Sequence, residues 1–172
     1  MIKTIYLAGG CFWGTEHFFK LVRGVVSTAV GYANGHTEAP TYEEVCKGTT
    51  GYAETVKIDY DATQLKLELI LELYFSTIDP ISVNKQGGDV GEQYRTGIYY
   101  VDEDDLAIIQ NSLSQLAKNY RASIAIECKP LGNFFLAEEY HQDYLEHNPT
   151  GYCHIRPELF YKARMANPIL PE

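Results

Sequence analysis

Cys11 stands in the run Gly9-Gly10-Cys11-Phe12-Trp13-Gly14, between glycines and two residues before the only tryptophan of this 172-residue chain. Small neighbours leave a sulfur approachable, and an adjacent Phe and Trp supply a rigid apolar wall. Residues 3–8 (KTIYLA) read as a short strand and 12–22 as a helix with Phe18, Leu21 and Val22 on one side, so Cys11 falls at a strand-to-helix junction. Unpaired N–H groups and partial positive charge at a helix start favour a thiolate, the nucleophilic form of cysteine. Strand–turn–helix presentation is used by other exposed nucleophiles. From position alone, a reactive cysteine and a structural cysteine among core aromatics are equally good readings.

The elements that would position it follow from periodicity. Gly24 ends the first helix, 24–33 reads as a second, largely buried strand and 52–61 as a third. A strongly apolar helix at 64–79 stops before Pro80, and a strand at 96–103 leads into an amphipathic helix at 104–120. In that helix Leu106, Ile109, Leu113, Leu116 and Tyr120 recur at steps of three and four, with Asp104 or Asp105 as the cap. A strand at 123–129 and a short helix at 137–148 complete the pattern. Two irregular segments, 34–51 and 80–95, are long enough to be functional loops. The segment 148–172 holds Pro149, Pro157, Pro168 and Pro171 and is predicted to be an irregular tail. This order predicts a single α+β domain over 1–172, a mixed sheet with helices packed on it.

Composition excludes several partners. Hydrophobic content of 45% and charged content of 22% are ordinary globular values, whereas 14 tyrosines offer many hydroxyl donors. A net charge of −9 argues against nucleic acid or an anionic membrane, and no apolar stretch is long enough to span one. Leu7-Ala8-Gly9-Gly10-Cys11 looks like a lipoprotein cleavage site. The apolar run before it is only about five residues, against roughly 7–15 for a signal segment, so a cytoplasmic location is expected. Cys11, Cys46, Cys128 and Cys153 show no CxxC or paired metal spacing, so neither a metal nor another cofactor is expected. Cys128 shares strand parity with Ile124 and Ile126 and reads as a small buried hydrophobe.

Four segments together resemble one family. LAGGCFWGTEHFF is similar to the N-terminal signature of the A-type peptide methionine-S-sulfoxide reductases. PTYEEVCKGTTGYAE resembles the family's segment ending in its catalytic acid, QGGDVGEQYRTGIYY its Asp/Tyr loop, and FFLAEEYHQDYL its C-terminal signature. The resemblance implies a two-layer α/β sandwich with a ferredoxin-like plait core. It also implies that Cys11 attacks the sulfoxide sulfur and becomes a sulfenic acid, the reversible first step of cysteine oxidation. Phe12 and Trp13 would then hold the substrate's terminal methyl group, Tyr42 and Tyr94 would hydrogen-bond the sulfoxide oxygen, and Asp89 would be the family's polar loop residue. Glu54 would be the acid. Its parity with Val56, Ile58 and Tyr60 aims it at a buried face, where a carboxylic acid stays protonated near neutrality. His141 is expected to support the site by a hydrogen bond. The chain departs from the family's usual pattern at Tyr52, Gly88 and Glu92.

NPTGYCHI resembles the tail of family members with a single resolving cysteine, which implies a Cys11–Cys153 disulfide reopened by thioredoxin. Cys46, in the loop near the site, remains the alternative. The implied substrates are methionine S-sulfoxide in proteins and as the free amino acid. Two other classes stay open: a cysteine hydrolase pairing Cys11 with His141, and a binding module that consumes no thiol.

Overall fold

A computed structural model describes residues 1–170. β1 (Ile2–Ala8), α1 (Phe12–Lys20) and β2 (Val25–Ala33) are followed by β3 (Ala53–Asp61), α3 (Leu67–Ser76) and β6 (Gly97–Tyr100), with a five-residue α2 (Tyr42–Cys46) inside the first long loop. The second long loop folds as a small ribbon of β4 (Lys85–Gln86) and β5 (Asp89–Val90) and a 3-10 turn at Glu92–Tyr94. Then come α4 (Asp105–Ala117), β7 (Glu127–Pro130), β8 (Phe134–Leu136), a 3-10 turn at Glu139–His141, α5 (Tyr144–His147) and α6 (Pro157–Met165).

The main sheet has the order β7-β6-β1-β3-β2-β8, and only β6 and β7 run parallel. Both β1-α1-β2 and β3-α3-β6 cross over an intervening strand. Two interleaved split βαβ units of this kind make the ferredoxin-like plait, so the α+β expectation holds. Alternation along the strands divides the sheet into two faces. Ile5 and Leu7 of β1 and Val56, Ile58 and Tyr60 of β3 pack with Phe18, Phe19, Ile70 and Leu71 of α1 and α3. Tyr6, Ala8, Ala33, Ala53 and Tyr99 face the other way, beneath Leu131 and Phe134.

Several local expectations change. The tail is not wholly irregular, because α6 begins at Pro157, and proline at the first helical position gives up only an N–H that would be unpaired anyway. The predicted 137–148 helix is a 3-10 turn followed by a single helical turn, with Asp143 left-handed between them (φ 55°). Strand β8 was not predicted; it is three residues long, too short to show periodicity. The 123–129 strand shifts to Glu127–Pro130 at a sheet edge, which leaves Cys128 half-exposed rather than buried. Asp104 sits at the start of α4 without a capping bond, while Asp105 is buried and accepts from Lys3 Nζ at 2.5 Å. Among the described residues no helix is long and apolar enough to cross a membrane, and no cluster of metal-ligating side chains occurs.

Candidate active site

β1 and β3 pair up to Ala8 and Thr55, after which the first strand leaves the sheet at Gly9 and turns into α1. Glu54, one residue beyond Thr55 on the helix side of β3, therefore lies under the start of α1. The Phe12 N–H donates to Glu54 Oε1 at 3.2 Å, and the Cys11 N–H donates to Asp89 Oδ2 at 3.1 Å. Asp89 reaches that point because Gln86 clamps its ribbon: Asp79 N–H donates to Gln86 Oε1 at 2.7 Å, and Gln86 Nε2 donates back to the Asp79 carbonyl at 3.0 Å. Gly10 N–H donates to the Tyr94 carbonyl at 3.1 Å, which ties the Asp/Tyr loop to the turn carrying Cys11.

Electrostatics at Cys11 reverse the sequence expectation. Burial raises the thiol pKa, the Glu54 carboxylate raises it further, and Asp89 and Cys153 add to this; only the Trp13 N–H opposes them. The N–H groups expected to stabilise a thiolate hold the two carboxyls instead. Cys11 thus rests as a thiol. Glu54 is 1% exposed, and burial pushes its pKa up to about 8 against the opposing Phe12 N–H. Its Oε2 has no hydrogen-bond partner among the described residues, so a neutral carboxyl with a proton to give faces the site.

The aromatic wall is fixed from behind. Phe12 is fully buried against Tyr32 and His141, with ring centroids 5.8 and 5.2 Å away. Trp13 stacks on Tyr144 at 3.7 Å and donates from Nε1 to His141 Nδ1 at 2.9 Å. Tyr42 leads α2, its ring 4.4 Å from that of His141. Glu138 holds it there, accepting from Tyr42 N–H at 3.1 Å and from Tyr32 hydroxyl at 2.9 Å. Burial raises the pKa of both Tyr42 and Tyr94, a hydrogen bond with Cys46 adds to it at Tyr42, and the nearby Glu54 adds to it at both, so both hydroxyls stay protonated. Cys11, Phe12, Trp13, Tyr42, Glu54, Asp89 and Tyr94 are thereby brought to one end of the sheet.

Cys153 is half-buried on the segment before α6, where its sulfur accepts from Ile155 N–H at 3.4 Å. A Cβ built on Gly14 would lie 2.8 Å from that sulfur. Gly14 is therefore small to admit the chain's own tail rather than a substrate. Cys46 is exposed at the end of α2, beside Tyr42. Of the family departures, Tyr52 is a core residue whose hydroxyl bonds the Thr37 carbonyl, and Glu92 is exposed. Sequence reasoning missed Glu138, Tyr144 and His154. Each is one polar or aromatic residue among many, made important only by contacts from distant segments. Acyl transfer finds little support here. The His141 Nδ1 is taken by Trp13, and the N–H groups of Cys11 and Phe12 that could bind an oxyanion are occupied by carboxyls.

Known proteins match this arrangement along its length. The family model described as peptide methionine sulfoxide reductase matches residues 3–169. A relative from Lachnoclostridium phytofermentans named peptide methionine sulfoxide reductase MsrA is 63% identical over 166 residues, which is 96% of this chain and 100% of the relative. Reduced Mxr1 from Saccharomyces cerevisiae superimposes with a TM-score of 0.84 at 37% identity, covering 88% of each chain. Mxr1 in complex with Trx2 shares the fold at 24% identity and a TM-score of 0.59, covering 83% of this chain and 84% of that one. With a thiol, a neutral carboxyl and an aromatic wall at one helix start, and a family match over nearly its whole length, the chain belongs to the peptide methionine sulfoxide reductases, enzymes that reduce methionine sulfoxide.

Proposed function

We propose that this protein reduces the S epimer of methionine sulfoxide, in proteins and as the free amino acid, with Cys11 as nucleophile and Glu54 as proton donor. The observation that carries this reading is the buried Glu54 carboxyl, neutral near pH 7 and hydrogen-bonded to the residue after Cys11. Phe12 and Trp13 receive the methyl group, and Tyr42 and Tyr94 donate to the sulfoxide oxygen. Glu54 gives its proton to that oxygen as the Cys11 sulfur attacks, and it recovers the proton that the thiol loses. The S–O oxygen passes to Cys11, so thiol and sulfoxide become sulfenic acid and thioether, with no other reductant in this step. Asp89 holds the turn through the Cys11 N–H.

Cys153 resolves the sulfenic acid to a disulfide, and thioredoxin reopens it. What supports Cys153 over Cys46 is its place against Gly14, one turn along the helix that Cys11 begins, and the charge effect of Cys153 on the Cys11 thiol. The complex of yeast Mxr1 with Trx2 supports thioredoxin as the partner. A cytoplasmic location suits a thiol that must be recycled by such a reductant. The test is turnover with thioredoxin in wild type and in Cys11→Ser. The reading requires turnover in the first and none in the second; equal turnover in both contradicts it.

A further inference from the structure

Gly10 and Gly14 flank Cys11, and the space a side chain would take at each is filled by consecutive tail residues. A Cβ on Gly10, where φ is +77°, would meet His154 Nε2 at 2.8 Å. One on Gly14 would meet Cys153 Sγ at 2.8 Å and His154 Cε1 at 3.5 Å. The imidazole thus lies along the neck that carries the nucleophile. On its other edge, Nδ1 is 3.8 Å from Asp89 Oδ2, the oxygen that holds the Cys11 N–H. The His154 side chain is only 3% exposed. The Gly9 carbonyl is near enough to favour a proton on the ring, yet neither nitrogen makes a hydrogen bond of good geometry with any described residue. Burying two unsatisfied ring nitrogens is costly, and an apolar residue would pack there without that cost.

We propose that His154 is the proton-transfer group of the resolving half-reaction, moving the proton of the Cys153 thiol to the oxygen that leaves Cys11. The inference rests on the Cys11–Cys153 pairing proposed above. His154 takes the thiol proton, and the freed electron pair on Cys153 forms the S–S bond. The S–O bond of the Cys11 sulfenic acid breaks with its electron pair on oxygen, and the imidazolium protonates that oxygen to water. Asp89 steadies the transient imidazolium, and His154 ends neutral as it began. No outside reductant is needed, because Cys153 is oxidised as the sulfenic sulfur is reduced.

The ring's neighbours fit this use. Asp89 faces it from the ribbon and the Gly9 carbonyl from the neck. Tyr152 and Cys153 adjoin it on its own segment, and Asp79 and Arg156 line a cleft of about 290 Å³ beside it. Burial lowers its pKa more than Asp89 and Gly9 raise it, so the ring is neutral at pH 7 and free to accept. His17 is the rival base. Its Nδ1 also lacks a partner among the described residues, and with Glu146 it lines a cleft of about 620 Å³ that reaches Cys153.

The test is a single turnover without reductant, quenched in time between pH 5 and 9, in wild type, His154→Gln and His17→Gln. Methionine release and the Cys11–Cys153 disulfide are followed separately by mass. In wild type the disulfide-forming rate should level off once the imidazole is neutral, at or below about pH 6.5. In His154→Gln it should fall at pH 7 on the order of tenfold or more relative to methionine release. It should also lose the plateau and climb steadily to pH 9, while His17→Gln keeps the plateau. A tail merely loosened by the substitution would slow resolution by one factor at every pH and keep the plateau. That result, an unchanged rate, or loss of the plateau in His17→Gln overturns the inference. Absence of the disulfide in wild type would instead remove the pairing on which it rests.

Discussion

Replacing Glu54 by Gln removes one proton and almost no volume, and it should change three measurable quantities in directions that a packing defect would not reproduce. With a pKa of about 8, the wild-type carboxyl is about nine-tenths protonated at pH 7. Its loss as a donor should slow sulfoxide reduction by about 10²–10⁴-fold, roughly 3–5 kcal/mol of barrier. The wild-type rate should fall as pH rises through about 8 and the proton is lost, and the variant should lose that limb. Cys11 should move the other way. An ionised Glu54 is the second cause of its raised pKa, so in the variant the thiol ionises at lower pH and is alkylated faster at pH 9. Stability should rise as well. A carboxyl held neutral by burial favours folding below its ordinary value of 4.5, and that contribution is lost as pH rises to about 8. Each unit above 4.5 costs about 1.4 kcal/mol, so Glu54→Gln should be more stable by about 3 kcal/mol at pH 7, with a smaller gain at pH 5. Single-turnover rates, iodoacetamide kinetics and urea titrations at pH 5, 7 and 8 measure the three. A variant slower in both reduction and alkylation, and less stable at pH 7, would refute the reasoning.

Other substitutions test separate parts of the site. Gly14→Ala places a Cβ 2.8 Å from Cys153 Sγ and should push the tail away. Thioredoxin-coupled turnover should then drop on the order of tenfold, with one methionine still formed per chain in a single turnover and Cys153 alkylated faster. Trp13→Ala loses the stack on Tyr144 and the bond to His141, and should raise KM about 5- to 30-fold, or 1–2 kcal/mol; an unchanged KM would leave Trp13 a packing residue. Cys153→Ser should reduce one equivalent of sulfoxide and then stall with thioredoxin, while a small dithiol restores cycling; continued turnover with thioredoxin would return the resolving role to Cys46.

The legible parts of the site were those set by local pattern. Glu54 could be placed on the helix side because the two-residue alternation from Val56 to Asp61 extrapolates to it, although Ala53, Glu54, Thr55 and Val56 are all buried. Cys11 could be placed at a helix start because glycines separate a strand from an apolar helix. Its protonation state could not be read, because it depends on which groups take the first N–H bonds of α1. Those are Glu54 and Asp89, 42 and 78 residues away. Helix α6 was hidden because prolines on either side of it read as breakers, though Pro157 serves as a start. His154 was hidden for a further reason. A lone histidine after a cysteine carries no spacing to read, and only the fold brings it against Gly10 and Asp89.

Everything proposed for this site depends on Cys11 itself taking the oxygen from the S epimer. The most direct measurement gives fully reduced protein an excess of each resolved epimer, without any reductant, and counts methionine formed and thiols lost. With the S epimer about one methionine should form per chain, two of the four thiols should be lost, and a Cys11–Cys153 crosslink should appear in the peptide map. With the R epimer no methionine should form and all four thiols should remain. Methionine formed equally from both epimers, or from the S epimer with Cys11 still free, would contradict it.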